Sequence, residues 1–254
     1  MNKFFKSLVV LAALVGFSSP AAAQLNGFVS LDGPAFGVRL GLNYASALNA
    51  TTSVIIGARY NLNISPSSPS SATLFGGADL MLNEKFSVGG RVYLSLNSIG
   101  LNNTLGLTLR PYASLILVTG SNFGLVGTLT LNAPIVPGFA LQPWLAIDGS
   151  YVSGALRVDF GVEADFTVVP AFSFDGVFSY LHGAYQLSDQ IGLFAGTAFA
   201  FSGSSFGLTG NIYGPDYDGI YGGVNFALSN AITVRAVGGY FGGFNFTLTT
   251  AFRL

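Results

Sequence analysis

Apolar and polar residues alternate with a period of two along most of this chain. Within residues 86–97, Phe86 and Val88 fall on one phase, whereas Ser87 and Arg91 fall on the other. Successive side chains of a β-strand point to opposite faces, so this pattern predicts a strand with one apolar and one polar face. Similar segments recur almost to the C terminus, and the sequence therefore predicts an all-β fold.

The charged residues of these segments all fall on the polar phase. They are Arg39, Arg59, Asp79, Arg91, Arg110, Asp148, Arg157, Asp159, Glu163, Asp175, Arg235 and Arg253. An Arg on a lipid-facing strand surface costs about 2–4 kcal/mol near the middle of a bilayer, whereas the outer face of a soluble sheet imposes no such sorting. The pattern therefore predicts that the apolar phase faces lipid and the polar phase faces a lumen.

The composition also argues against a soluble domain. Charged residues make up 8% of the chain and hydrophobic residues 50%, whereas about 25% of the residues in an ordinary soluble domain are charged. Beyond the N-terminal segment, no run of apolar residues approaches the length of a transmembrane helix. Backbone polar groups in lipid must be paired within the protein, which leaves a closed barrel. We expect a transmembrane antiparallel up-and-down β-barrel.

Residues 1–23 have the order of regions found in a secretory signal peptide. Lys3 and Lys6 precede an apolar stretch over 8–17, and three alanines follow at 21–23. We expect cleavage after Ala23, which leaves 24–254 as a single barrel domain. The chain contains no cysteine, so this exported domain has no disulfide bonds.

The turns allow the strands to be counted. Beginning with a short strand at 25–31, the pattern predicts about 14 strands, with 12 as the alternative, and an even number places both termini in the periplasm. Short polar turns such as 83–85 and 188–190 contrast with longer connections at 63–71 and 203–219. This asymmetry is typical of outer-membrane barrels.

The C-terminal segment carries a family resemblance. Residues 246–254 read Phe-Thr-Leu-Thr-Thr-Ala-Phe-Arg-Leu, with Phe252 two positions before the terminal Leu254. Together with the signal peptide and the alternating strands, this ending resembles bacterial outer-membrane β-barrels of the porin-like type, without a motif of any specific family. The resemblance implies residence among the lipids of the outer membrane of a diderm bacterium. It also implies recognition of the last strand by the barrel-assembly machinery, although this chain ends on Leu rather than an aromatic residue.

Aromatic residues on the apolar phase cluster towards the strand ends. They are Tyr44, Tyr60, Phe86, Phe123, Phe139, Phe172, Phe201, Tyr240, Phe244 and Phe252. Such placement predicts aromatic girdles at the two membrane interfaces. The alternative is that Phe and Tyr are simply good strand formers.

The candidate functional residues are lumen-facing charges, and one interpretation is that they form a constriction. They are Arg39, Arg59, Asp79, Arg91, Arg110, Arg157, Asp159, Glu163, Asp175 and Arg235. Rings of charged side chains rank solutes by charge in pores, while the alternative is polar filler whose charges neutralise one another. Pairing across the turn at 83–85 sets Asp79 diagonal to Arg91, within reach of an ion pair.

A second charge cluster is expected where the chain turns near 165–170. Pairing across that connection would set Asp159 opposite Asp175, with Glu163 and Arg157 on either side. Most other positions of the polar phase are Gly, Ser, Thr, Ala or Asn, which would leave a wide barrel open.

Two unusual residues have competing interpretations. Trp144 falls on the polar phase and could narrow a pore or stack a ligand, but the preceding Pro143 favours a local bulge. His182 is the only histidine, and Ser179 and Asp175 lie near it in sequence. A nucleophile and its base must lie within about 3 Å of each other, and these residues fall on the opposite phase. We therefore interpret His182 as an interfacial residue near a strand kink.

Few other ligands are expected. Two aspartates at 216 and 218 resemble a calcium loop only faintly, because further ligands are missing. We expect no metal and no cofactor. The absence of a Lys/Arg cluster argues against a nucleic-acid partner, and the oligomeric state stays open.

Three functions follow as hypotheses. The first is a passive channel for small hydrophilic solutes with weak ion selectivity, because seven arginines nearly balance the inward carboxylates. The second is a structural or interaction barrel with a filled interior. The third is a membrane-embedded enzyme that depends on His182.

Overall fold

The computed structural model describes residues 23–33, 37–63, 69–99, 103–202, 205–208, 219–240 and 243–253. Within these ranges no helix is long and apolar enough to cross a membrane. The strands are β1 (Ala23–Gly33), β2 (Gly37–Ala47), β3 (Thr52–Asn63), β4 (Ser70–Met81), β5 (Phe86–Ile99), β6 (Thr104–Thr119), β7 (Phe123–Val136), β8 (Gln142–Ser153), β9 (Leu156–Thr167), β10 (Ser173–Gln186), β11 (Ile191–Ser202), β12 (Ser205–Leu208), β13 (Ile220–Ser229), β14 (Ile232–Tyr240) and β15 (Phe244–Arg253).

These strands close into an antiparallel barrel. Strands β1 to β11 each pair with the next along the chain, β11 also pairs with β13, and β1 pairs with β15 to complete the circle. The short β12 pairs only with the end of β11, so fourteen strands form the wall. The predicted strand number and closed antiparallel fold are confirmed. The twelve-strand alternative is wrong because every weak segment, including the first, is a paired strand.

The register sets the width of the barrel. Following the paired residues once around the wall gives a shear of roughly 18 residues, which for fourteen strands corresponds to a backbone radius of roughly 14 Å. A barrel of this size is wider than one that side chains alone fill.

The polar phase lines the concave side of the wall. Several of its side chains touch partners two strands away, reaching across the strand between them. Tyr180 of β10 donates a hydrogen bond of 2.8 Å to Asp148 of β8, and Tyr112 of β6 reaches Asp79 of β4. Such convergence is possible only on the inside of a curved wall. The opposite phase carries exposed apolar side chains such as Val92, which is 47% exposed.

Glycines on the intervening strands make these contacts possible. Gly89 of β5 lies beneath the contact between Asp79 and Tyr112, and a Cβ there would fall 2.5 Å from Asp79 Oδ1 and 2.6 Å from Tyr112 Oη. Gly161 of β9 has the same place beneath Asp148 and Tyr180, where a Cβ would lie 2.5 Å from Asp148 Oδ1. We call these two residues bridging glycines, because each leaves room for side chains to meet over its strand.

A bulge in β10 corrects part of the predicted face assignment. The register against β9 shifts between Phe174 and Gly176, which inserts Asp175 as an extra residue. A one-residue shift exchanges the two faces of a strand. Phe178 and Tyr180, expected to face lipid, therefore lie on the concave side.

The outer-face aromatic residues lie near the strand ends. Among the most exposed are Phe244, at 84%, and Phe172, at 75%. Tyr240 and Phe244 form an edge-on pair with ring centroids 5.4 Å apart. The end that carries the termini has Tyr44, Phe86, Phe123 and Phe252, and the other end has Tyr60, Phe139, Phe172, Phe201, Tyr240 and Phe244. These are the positions expected for two girdles.

Some sequence-based predictions fall outside the described residues. They concern nearly all of the signal peptide, the aspartates at 216 and 218, and the terminal Leu254.

Candidate functional site in the barrel lumen

The predicted charged residues occupy separate sectors of the concave wall. Four arginines lie on one sector, formed by β2, β3, β5 and β6, and most carboxylates lie on another, formed by β8, β9 and the start of β10. The first group is Arg39, Arg59, Arg91 and Arg110, and the second is Asp148, Asp159, Glu163 and Asp175, to which the structure adds Asp165. Asp79 belongs to the basic sector, Arg157 to the acidic sector, and Arg235 lies apart on β14.

Asp79 and Arg91 form the ion pair that the sequence predicts. Arg91 donates from both terminal nitrogens to the two carboxylate oxygens, at 2.6 and 2.8 Å. The pair is diagonal, because Asp79 is directly opposite Gly89 and Arg91 is directly opposite Gly77. Tyr112 donates to the same carboxylate. This bidentate, charge-assisted geometry fixes both side chains against the wall.

Arg39 is held in a similar way by a partner that the sequence pattern did not identify. Its Nε and Nη2 donate to Asp32 at 2.6 and 2.7 Å. Thr247 on β15 also donates to Asp32, at 3.1 Å. The cluster ties β2, β1 and β15 together across the closing seam of the barrel.

Arg110 faces Arg91 directly across β5 and β6. Like charges in this position repel, so each needs compensation. Arg91 has Asp79, whereas Arg110 donates at 3.2 and 3.1 Å to the amide oxygen of Asn132. Its guanidinium also lies over the rings of Tyr93 and Trp144, at 5.0 and 4.7 Å from their centroids.

Trp144 is therefore a lumen residue, and no bulge interrupts the pairing of β7 with β8 at this point. The register between β7 and β8 runs without a shift from Phe123 opposite Tyr151 to Asn132 opposite Gln142. Pro143 stands near the beginning of β8, where the missing N–H interrupts little of the ladder. On the other side of β8 the register does shift, because Trp144 is opposite Asp165 whereas Leu141 bridges Val169, which leaves one extra residue on the β9 side. The irregularity beside Pro143 is therefore in the partner segment, and Trp144 keeps its place on the concave phase.

Arg59 extends the same arrangement to β3. Its guanidinium lies 5.4 Å from the Phe75 centroid, and the Phe75 and Tyr93 rings are 6.0 Å apart. The side chain is exposed, and within the described part of the chain it makes no hydrogen bond or ion pair. Arg59, Phe75, Tyr93, Arg110 and Trp144 thus form a continuous row, which we call the guanidinium–aromatic belt.

The acidic sector is arranged differently. Asp148 accepts from Tyr180 at 2.8 Å, and Asp159 accepts from Arg157 at 2.9 Å. Glu163 follows on the same face of β9, four residues beyond Asp159. Asp175 does not face Asp159 as expected, because β9 extends to Thr167 and the register sets His182 opposite Asp159. Asp175 lies near the start of β10, where Thr167 and Ser173 donate to it at 2.7 and 2.8 Å.

His182 lies in the lumen wall and not at a membrane interface. It is 5% exposed, it is directly opposite Asp159, and its Nδ1 is 3.0 Å from the Tyr221 hydroxyl oxygen. Its ring stacks against Phe194 and Tyr221 at 5.7 and 5.8 Å. The interfacial interpretation is wrong because the β10 bulge turns this part of the strand inward.

The structure does not bring His182 together with the serine and aspartate near it in sequence. Ser179 pairs with Val162 on the outer phase, and Asp175 lies beyond the bulge. Instead, the surroundings of His182 are packed. Phe194, Tyr221 and Val237 are 5%, 4% and 5% exposed and form a small buried cluster. Arg235 closes this patch, since it lies over Phe194 at 5.8 Å and donates to Asn225 at 2.7 Å.

Tyrosines were the main site residues that the sequence reasoning missed. Tyr112, Tyr180 and Tyr221 each reach a charged or polar side chain two strands away. The available signal was a glycine on the polar phase of the strand between, as at Gly89 and Gly161. Within the described ranges, no group of three or more His, Asp or Glu side chains could hold a metal ion.

Comparisons with known proteins agree on the architecture. No protein-family model and no curated protein matches the chain. Among solved structures, CymD, a monoaromatic hydrocarbon channel, is similar with a TM-score of 0.54 and 11% identity, over 100% of this chain and 92% of CymD. A loop-deletion variant of OmpT, an outer membrane protein of Vibrio cholerae, has a TM-score of 0.53 and 11% identity, over 91% of this chain and 98% of that one. A bacterial polysaccharide outer membrane secretin has a TM-score of 0.51 and 12% identity, over 93% and 100%. The chain therefore has the closed antiparallel fold of bacterial outer-membrane β-barrels.

Proposed function

We propose that this protein is an outer-membrane barrel that acts as a passive channel for small hydrophilic solutes, with weak charge selectivity. The observation that carries the proposal is the segregation of polar and charged side chains onto the concave wall of a barrel too wide for side chains alone to fill. Apolar side chains occupy the outer phase, as contact with lipid requires.

The charge balance inside the barrel supports weak selectivity. Arg39, Arg91 and Arg157 each have a carboxylate partner. The remaining guanidiniums of the basic sector are offset by carboxylates of the acidic sector, such as Glu163. A solute of either sign therefore meets attractive groups on one side of the lumen and repulsive groups on the other.

The end of the barrel that carries the termini offers an entrance. A recess of about 410 Å³ lies there, and its lining includes Asn26, Asn43, Thr233 and Arg253. Polar side chains at such a mouth keep water in contact with the lumen.

Single-channel recording tests the proposal. Refolded protein comprising residues 24–254 should produce conductance steps in planar bilayers, and a KCl gradient should give a reversal potential near zero. A pure, folded sample without steps above background would remove the channel function. A strongly anion- or cation-selective pore would contradict the weak selectivity.

A matched pair of variants separates lumenal flow from leakage around the barrel. Ser95 lies on the concave phase, and the adjacent Leu94 lies on the outer phase, where it is 43% exposed. Ser95→Trp should reduce the conductance step, while Leu94→Trp should leave it unchanged. Equal effects of the two substitutions would argue that ions do not pass through the lumen.

A structural or interaction barrel is the second candidate, and one observation favours it. The inner wall around β10 to β14 is packed, with Phe194, Tyr221 and Val237 nearly inaccessible. If this packing continued across the lumen, proteoliposomes carrying folded protein would be no more permeable to small sugars than empty vesicles.

We further propose that the protein is not an enzyme. His182 has its Nδ1 engaged with Tyr221, and its neighbours Phe194 and Tyr221 limit access to the ring. Hydrolysis of a lipid or peptide substrate by the wild type that is abolished in His182→Ala would contradict this.

A further inference from the structure

We propose that the guanidinium–aromatic belt is a binding station for small organic carboxylates. Passage of a bound carboxylate through the lumen would rest on the proposed channel function, but binding at the belt does not. The belt runs across β3, β4, β5, β6 and β8 on the concave wall, from Arg59 to Trp144.

The belt places each of its two guanidiniums over aromatic rings. Arg59 lies over Phe75, and Arg110 lies between Tyr93 and Trp144, with centroid distances of 4.7 to 5.4 Å. A guanidinium that stacks on a ring keeps its N–H groups at its edge, where they can donate in the ring plane. The aromatic support therefore fixes the cation without consuming its hydrogen-bond donors.

The two belt arginines, Arg59 and Arg110, differ from the neighbouring arginines in their hydrogen-bond partners. Arg39 and Arg91 are neutralised by bidentate contacts with Asp32 and Asp79. Arg110 uses Nε and Nη2 for one neutral amide oxygen of Asn132, and no bond from its Nη1 occurs within the described residues. Arg59 has no hydrogen-bond or ion-pair partner among the described residues. Neither belt arginine therefore donates a hydrogen bond to a carboxylate among the described residues, and Glu163 acts on Arg110 only through its charge. An arginine that only filled the lumen would be expected to contact a carboxylate directly.

The chemistry of this arrangement fits a planar carboxylate. The fork of N–H donors on Arg matches two carboxylate oxygens, and each charge-assisted hydrogen bond contributes about 1.5–3 kcal/mol when it is well formed. Chloride has a single acceptor atom and cannot form the two parallel hydrogen bonds that a carboxylate forms with the fork. The flat ring faces along the belt add contact area for the organic part of the solute.

Trp144 supplies a direct readout. It is the only tryptophan of the chain and lies against Arg110. Titrating refolded protein in non-ionic detergent with sodium benzoate should change the Trp144 emission along a saturable curve. Benzamide, which has the same shape without the charge, should give no saturable change.

Three substitutions locate the site. Arg59→Gln removes an exposed side chain that has no hydrogen bond to lose within the described ranges, so the barrel should fold, as checked by heat-modifiable migration on gels. We expect it to raise the half-saturating benzoate concentration about tenfold, which corresponds to one lost charge-assisted bond. Arg110→Gln should have an effect at least as large. Arg253→Gln, the control, removes the same charge from the concave phase at the mouth of the barrel and should shift the concentration by less than about twofold.

The outcomes separate the site from the channel. Saturable benzoate binding in a barrel that shows no conductance would sustain the site and remove the proposed function. Conductance with indistinguishable responses to benzoate and benzamide would overturn the site and leave the channel. An equal loss of affinity in Arg253→Gln and Arg59→Gln would also overturn the site, because general lumen charge would then explain the binding.

Discussion

The bridging glycine Gly89 allows a quantitative test of how the lumen wall is built. Substitution by alanine would place a Cβ 2.5 Å from Asp79 Oδ1 and 2.6 Å from Tyr112 Oη. At least one of these side chains must move, and the hydrogen bond from Tyr112 to Asp79 is lost. The adjacent Gly90 lies on the outer phase, where a Cβ would meet the Cα of Pro111 at an ordinary 3.5 Å. Gly90→Ala is therefore a matched control one residue away.

The expected magnitudes follow from these contacts. A hydrogen bond to a charged group contributes about 1.5–3 kcal/mol, and the partial exposure of Asp79 favours the lower part of that range. Replacing glycine by alanine within a strand stabilises the folded protein by about 0.5–1 kcal/mol, because alanine loses less conformational entropy on folding. We expect Gly90→Ala to be neutral or slightly stabilising and Gly89→Ala to be less stable than Gly90→Ala by about 1.5–2 kcal/mol.

Reversible urea unfolding in lipid vesicles, followed by Trp144 fluorescence, measures this difference. Repeating both substitutions in a Tyr112→Leu background gives a double-mutant cycle. The shorter Leu side chain no longer reaches over β5 to Asp79. The difference should then shrink by about half or more, and the remainder reflects the contact of the new Cβ with Asp79 Oδ1. Equal stabilities of Gly89→Ala and Gly90→Ala, or a difference that is undiminished without Tyr112, would refute the reasoning.

Two further predictions concern other parts of the wall. His182→Ala should lower the free energy of unfolding by about 2–4 kcal/mol, because it leaves a cavity beside Phe194 and removes the hydrogen bond between His182 and Tyr221. An unfolding midpoint within error of the wild type would contradict the packed environment. Val92→Arg should lower the free energy of unfolding in lipid by about 2–4 kcal/mol, since Val92 is on the outer phase. Ser95→Arg, on the concave phase, should lower it much less. Similar losses of stability in the two variants would contradict the face assignment of β5.

The alternation of residue types was sufficient to predict the fold. Each strand must separate lipid from the lumen, so its sequence carries the pattern residue by residue, as β5 does from Phe86 to Ile99. The same rule gave the diagonal contact of Asp79 with Arg91, because a short turn fixes the register of the two strands. The faces of single strands and the register across short turns can therefore be predicted from the sequence.

Contacts over longer distances were not predictable in the same way. The bulge at Asp175 changes the face of every following residue in β10. Gly176, with a φ of 152°, stands at the bulge, but a single glycine is a weak signal in a chain that contains 34. The assignments of Tyr180 and His182 failed for this single reason. Contacts that span a strand, such as Arg110 with Trp144, depend on the curvature of the closed wall, which period-two reasoning on separate strands does not contain.

The pairing of β1 with β15 has a consequence for how the protein folds. Thr249 donates to Ser30 at 3.0 Å across 219 positions of sequence. Bringing such distant segments together costs about 5 kcal/mol of loop-closure entropy, and it cannot happen before the last strand has been synthesised. Until then, the growing sheet exposes two unpaired edges that can pair with other chains. The seam is therefore expected to form late, and agents that capture free strand edges should act on the unclosed sheet and not on the finished barrel.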